Sequence, residues 1–179
     1  MKLVFTLILW IFIAVGSSAQ QYKTENGKVE FLSKASLSEF TGKSENLNGL
    51  IDIEKRVLDF FIDLNTLKTG IGLRDRHMRD NYLETKKFPF AEFTGNIVEN
   101  LSFAPGESQR VTARGNFKIH GVERTIEVPG TLTRVNDKEL KLVANFTVLL
   151  SDYKIDVPTV LFYELAEEQK VTINALLKR

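Results

Sequence analysis

Charged side chains crowd between Gly70 and Phe93, in the run GIGLRDRHMRDNYLETKKFPFAEF. Arg74, Asp75, Arg76, His77, Arg79 and Asp80 lie almost side by side, and Phe88-Pro89 follows. An arginine guanidinium is a planar fork that fits phosphate or carboxylate. A histidine adds a donor when protonated. The chemistry on offer is therefore recognition of an anionic head group. On a helix Asp75 and Arg79 stand four apart, as do Arg76 and Asp80, so each couple can pair. That pairing leaves Arg74 without a local partner. It makes Arg74 and His77 the first candidates for a head-group site, with Arg79 third. The same spacing equally fits a salt-bridged, solvent-facing helix that plugs the end of a fold. Met78 and Tyr82 are also four apart and face the core in this register. Pro89 biases Phe88 away from helical angles, so the helix ends before it.

Other chemistries find little support. The chain has two histidines, His77 and His120, and no cysteine. Zinc sites take three or four protein ligands, so neither a metal site nor a cofactor is expected, and His120 reads as a structural turn residue. There is no Gly-x-Ser-x-Gly, no phosphate-cradling glycine loop and no His-Glu-x-x-His. No catalytic residue is assigned, and binding rather than enzymatic turnover is the expectation.

The elements that hold these residues come next. Met1-Lys2, the apolar run Leu3 to Val15 and the small residues Ser17 and Ala19 fit a secretory signal over residues 1–19, cleaved before Gln20. The apolar run is short against the ~20 residues of a membrane-spanning helix. The expected location is periplasmic or secreted, with no transmembrane segment in residues 20–179. Without Lys2 the formal charge falls from +1 to 0. No net field then steers nucleic acid, which is not an expected partner.

Residues 20–179 read as one domain of alternating strands. Gln20 to Gly27 is a polar lead-in with an Asn26-Gly27 turn signal, and Val29 to Ala35 begins the first strand. Gly49 suggests a bend or bulge within Leu47 to Ile53. In Val57 to Leu64, Leu58, Phe60, Ile62 and Leu64 share one face and Asp59 and Asp63 the other, a half-buried strand. A helical insert near residues 71–83 interrupts the pattern, with Arg74 to Leu83 long enough for two or three turns. Strands resume at Ala91. Pro105-Gly106, His120-Gly121 and Asn136 to Glu139 mark turns. Leu140 to Leu150 and Lys170 to Leu177 are the last strands, with an irregular stretch from Asp152 to Glu168 between them. The fold class is all-β: a single antiparallel barrel or sandwich of about eight strands with one helical insert. A barrel of that size is either filled by side chains or holds one small ligand, and periodicity alone does not choose between them.

Three places resemble the YceI-like family of lipid- or polyisoprenoid-binding, lipocalin-like β-barrels. The first is Leu64-Asn65-Thr66-Leu67-Lys68-Thr69-Gly70 with Arg74-Asp75-Arg76-His77-Met78 and Phe88-Pro89. The second is Gly115-Asn116-Phe117-Lys118-Ile119-His120-Gly121-Val122. The third is Phe40-Thr41-Gly42 with Leu47-Asn48-Gly49. The family's Asp-Phe-Gly-Ile-like segment is replaced by Asp152-Tyr153-Lys154-Ile155, which implies a different closure at that end. The resemblance implies a barrel around the tail of an isoprenoid or fatty-chain amphiphile, in a carrier or sequestering role. Phe40, Phe60, Ile62, Met78, Tyr82, Phe93, Phe117 and Phe146 then line the tail, and Arg74, His77 and Arg79 meet the head. Transient membrane contact and a dimer are compatible with it. The competing reading is a filled barrel that acts as an interaction or stress-adaptor module, or as a cryptic hydrolase.

Overall fold

The computed structural model describes residues 21–36, 38–156 and 165–179. The signal expected over residues 1–19 and most of the apolar stretch Val160 to Leu165 lie outside the described residues.

Eight antiparallel strands close into a barrel in chain order, each pairing with the next. They are β1 (Gln21–Lys34), β2 (Glu39–Asp52), β3 (Val57–Asp63), β4 (Phe90–Ile97), β5 (Ser108–Ile119), β6 (Val122–Asn136), β7 (Glu139–Leu149) and β8 (Glu168–Lys178). Pairing of β1 with β8, through Val29 opposite Ile173 and Phe31 opposite Val171, completes the ring. Closure removes the unpaired edges that an open sheet would expose. Alternation decides which residues turn inward: Leu58, Phe60 and Ile62 of β3 are buried while Asp59 is exposed.

Two local expectations change. Gln21 to Gly27 is not a lead-in but the first half of β1, with Tyr22 and Thr24 buried. The bulge falls at Gly27, where the β1–β2 register slips on both sides. It does not fall at Gly49, where β2–β3 pairing runs unbroken. There the ring of Phe60, directly opposite, occupies the space a Gly49 side chain would need.

Antiparallel order puts the β2–β3, β4–β5 and β6–β7 connections at one end and the other four at the opposite end. The first end is packed shut. Tyr22, Leu140 and Leu177 are fully buried there, and the Tyr22 hydroxyl donates to the Asp137 carbonyl at 3.1 Å. The second end carries the long connections, including the whole insert between β3 and β4.

Candidate functional site

Inside the barrel is a cavity of about 420 Å³, within the ~300–1,000 Å³ usual for small-ligand sites. Among the described residues its wall is almost wholly apolar, with the few polar side chains Ser38, Arg74, His77, Tyr82, Glu92 and Gln169. Every one of these sits on the second end's connections or on the strand ends next to them. The barrel is therefore a pocket closed at one end with a polar rim at the other.

The insert shapes that rim. A 3-10 turn (Leu64–Thr66) leads to α1 (Gly72–His77), which passes directly into a π-helical turn (Met78–Tyr82). The insert spans 72–82, within the expected 71–83, and the helix widens after His77. With i→i+5 bonds in its second half, the i,i+4 register fails, and the expected Asp75–Arg79 and Arg76–Asp80 ion pairs do not form among the described residues. Asp75 turns back instead. It is buried and accepts from the Thr69 backbone N–H at 2.7 Å and the Thr69 hydroxyl at 2.6 Å. The same hydroxyl accepts from Arg74 Nε at 3.2 Å. The Arg74 guanidinium also lies 4.3 Å from the ring centre of Phe40. Arg74 thus has partners that the helix did not suggest. Both fix its stem and plane, and no acceptor among the described residues takes its two Nη groups.

Burial pushes the Asp75 carboxyl up. The hydrogen bonds from Thr69 and the nearby charges of Lys68 and Arg79 outweigh it, and the net shift is downward. A depressed carboxyl stabilises the folded state above its ordinary pKa of ~4 and loses that contribution as pH falls through the folded value. Acid is therefore expected to release the Thr69–Asp75 link. Protection of the Thr69 amide against hydrogen exchange, corrected for the intrinsic rate, is expected to hold near neutral pH and to fall as pH drops below the ordinary carboxylate range. Constant protection would contradict this. Asp75→Ala, which removes the one oxygen that accepts both bonds, is expected to cost ~2 kcal/mol at neutral pH.

Across the mouth, His120 occupies the β5–β6 turn at φ +53°. Its Nδ1 is 3.0 Å from the Tyr153 carbonyl and its Nε2 is 3.0 Å from a Glu84 carboxylate oxygen. It thereby ties the end of the insert to the β7–β8 connection. The His120 hydrogen bond, helped by Lys87, holds the Glu84 carboxyl below its ordinary value. In the Asp152-Tyr153-Lys154-Ile155 segment, Lys154 adopts a left-handed φ of +57°. Tyr153 and Ile155 stay buried on either side, and Tyr153 packs edge-on against Phe117 at 5.4 Å. A positive φ at a residue with a Cβ is a strained turn, which Lys154 adopts between these two buried side chains.

The structure places the sequence-derived candidates as follows. Phe40, Phe60, Ile62, Met78, Tyr82, Phe93, Phe117 and Phe146 all line the cavity, and so do Arg74 and His77. Arg79 does not; its Nη1 is buried without a hydrogen-bond partner among the described residues, near Asp75. Sequence reasoning missed Gln169. Its Nε2 donates to the Ala166 carbonyl at 2.5 Å and to Ser33 Oγ at 3.2 Å. Those bonds fix the amide orientation and leave Oε1 buried with no partner among the described residues. Ser33 of β1 pairs with both Gln169 of β8 and Phe40 of β2, so a single strand separates this acceptor from the strand that carries the ring under Arg74. Thr69, which anchors Arg74, was also missed. Both are common polar residues with no motif around them.

Comparison with known proteins agrees with this geometry. The sequence pattern of the YceI-like domain matches residues 21–177. The chain belongs to the YceI-like family. No curated protein matches it. Among solved structures, a polyisoprenoid binding domain from Saccharophagus degradans, implicated in plant cell wall breakdown, superposes with a TM-score of 0.74 at 19% identity, covering 89% of this chain and 98% of that one. BcnA of Burkholderia cenocepacia superposes with a TM-score of 0.68 at 18% identity, covering 86% and 96%. The YCEI protein of Campylobacter jejuni gives 0.63 at 18% identity, covering 82% and 88%. At these identities the likeness is one of fold, and it is the eight-stranded, lipocalin-like barrel of the YceI-like family.

Proposed function

We propose that this YceI-like protein binds a long-chain amphiphile, of isoprenoid or fatty type, and carries or sequesters it outside the cytoplasm. The apolar cavity, closed at one end and open beside Arg74, is the observation that supports this reading. An alkyl or prenyl tail gains from apolar walls at ~25 cal/mol per Å² of buried surface. A filled-core module would not leave such a space. The solved domain from Saccharophagus degradans that binds polyisoprenoid shares the fold. The periplasmic or secreted location rests on the N-terminal signal pattern.

At the rim, the Arg74 fork faces an anionic head group, with His77 beside it on the same helix. Gln169 Oε1 accepts from a hydroxyl or other donor on the ligand. The test is displacement of a fluorescent fatty acid from delipidated protein. Arg74→Ala is expected to weaken binding of an anionic amphiphile about tenfold, the range of one charge-assisted hydrogen bond at a partly exposed site. It should leave the matching neutral alcohol nearly unchanged. Equal losses for acid and alcohol would remove Arg74 from the head-group site.

A further inference from the structure

The mouth of the cavity is bordered by apolar side chains that face water. Ile71 and Leu73 are 52% and 51% exposed and also line the cavity, so they stand where it meets solvent. Phe61 does the same at 42% exposure. Its ring meets that of Phe90, itself 43% exposed, edge-on at 5.9 Å. Exposed apolar side chains grouped at a cavity mouth mark an interaction site. The insert beside it is net positive. Residues 64–89 carry Lys68, Arg74, Arg76, Arg79, Lys86 and Lys87 against Asp75, Asp80 and Glu84, a formal +3. The whole chain sums to only +1, so the remainder sums to −2. One of the three acids, Asp75, is buried and bound by Thr69.

We infer that this rim is a docking face for an anionic lipid bilayer. Ile71 and Leu73 enter the head-group region, and Lys68, Arg76, Lys86 and Lys87 meet lipid phosphates. Apolar insertion combined with basic flanks is how a surface element holds to anionic membrane, each nearby lysine or arginine adding attraction to the lipid phosphates. The position of the apolar pair matters as much as its character. Seated this way, the cavity opens onto the hydrocarbon, and a tail passes between bilayer and barrel without crossing water. The inference rests, for its purpose, on the proposed lipid cavity.

Flotation with vesicles tests it. The wild-type protein is expected to float with vesicles of equal parts phosphatidylcholine and phosphatidylglycerol at low salt. It should float poorly with phosphatidylcholine alone and lose binding as salt rises. Ile71→Ser with Leu73→Ser is expected to lower partitioning about tenfold, as is Lys86→Glu with Lys87→Glu, each with an unchanged far-ultraviolet dichroism spectrum. Absence of flotation overturns the docking face, and so does equal flotation of wild type and both variants. A wild-type dimer in sedimentation velocity that becomes a monomer on Ile71→Ser with Leu73→Ser also overturns it, because a second copy then covers the face. A native mass spectrum of the same preparation separates the two ideas. Bound lipid without flotation overturns docking and leaves the cavity reading standing. Flotation of an empty barrel supports docking and counts against the cavity reading.

Discussion

Ala113→Phe combined with Ala144→Phe is expected to abolish amphiphile binding while the barrel stays folded. Both alanines are buried and line the cavity. They project from β5 and β7, on either side of the β6 positions Val128 and Gly130. Two phenyl rings added there fill the space that a tail requires. Phenylalanine suits a strand, and rings that enter a void of about 420 Å³ do not force the overpacking that costs ~1–3 kcal/mol in a dense core. The expected result is at least a ~100-fold loss of affinity, or ~2.7 kcal/mol. Tm is expected to stay within ~5 °C of wild type, a shift of ~1–2 kcal/mol for a domain of this size. A displacement titration and a melting curve check both halves. Wild-type affinity in the double variant would place the ligand elsewhere.

The largest stability effect is expected at the β4–β5 seam. Gly95 and Gly115 are direct cross-strand partners on inward positions. A Cβ on either would lie closer than 3.0 Å to backbone of the facing strand, including the Arg114 or Thr94 carbonyl oxygen. Backbone cannot rotate away as a side chain can, so the strands must part or the barrel must change its curvature. Gly115→Val is expected to cost ~3 kcal/mol or more, lowering Tm by roughly 6–12 °C for a domain of this size. Gly72, in the first turn of α1, gives the contrast, since a Cβ there meets nothing within 4 Å. Gly72→Ala is expected to raise stability by ~0.5–1 kcal/mol. Denaturant melts of the two variants decide it, and a mild Gly115→Val would mean that the seam does not set the curvature.

The barrel was legible because its strands alternate cleanly. Asp59 and Asp63 flank buried Phe60 and Ile62, and such a pattern fits only one strand face. The insert was legible as an interruption but not in its internal wiring. Helical spacing paired Asp75 with Arg79, whereas the chain folds Asp75 back onto Thr69, six residues earlier and outside the helix. A tertiary bond across a turn has no periodic signature, and neither has the π-helical widening after His77. Gly27 and Gly49 show a related limit. Both glycines interrupt strand patterns, yet only Gly27 bulges; at Gly49 a phenyl ring from the next strand takes the vacant space. Gln169 was invisible for a different reason. One glutamine among alternating strand residues looks like surface until the strand register sets it against Ser33. Whether inward phenylalanines pack together or surround a space depends on barrel shear and side-chain volume, which alternation does not encode.

A native mass spectrum of the protein purified from its producing cells, followed by organic extraction, tests the central claim most directly. The lipid-binding account predicts a complex heavier than the bare chain by one amphiphile. That mass should be released by extraction, carry a long isoprenoid or alkyl chain, and be missing from Ala113→Phe with Ala144→Phe. An empty wild-type barrel in repeated preparations, still empty after incubation with long-chain amphiphiles, would contradict it.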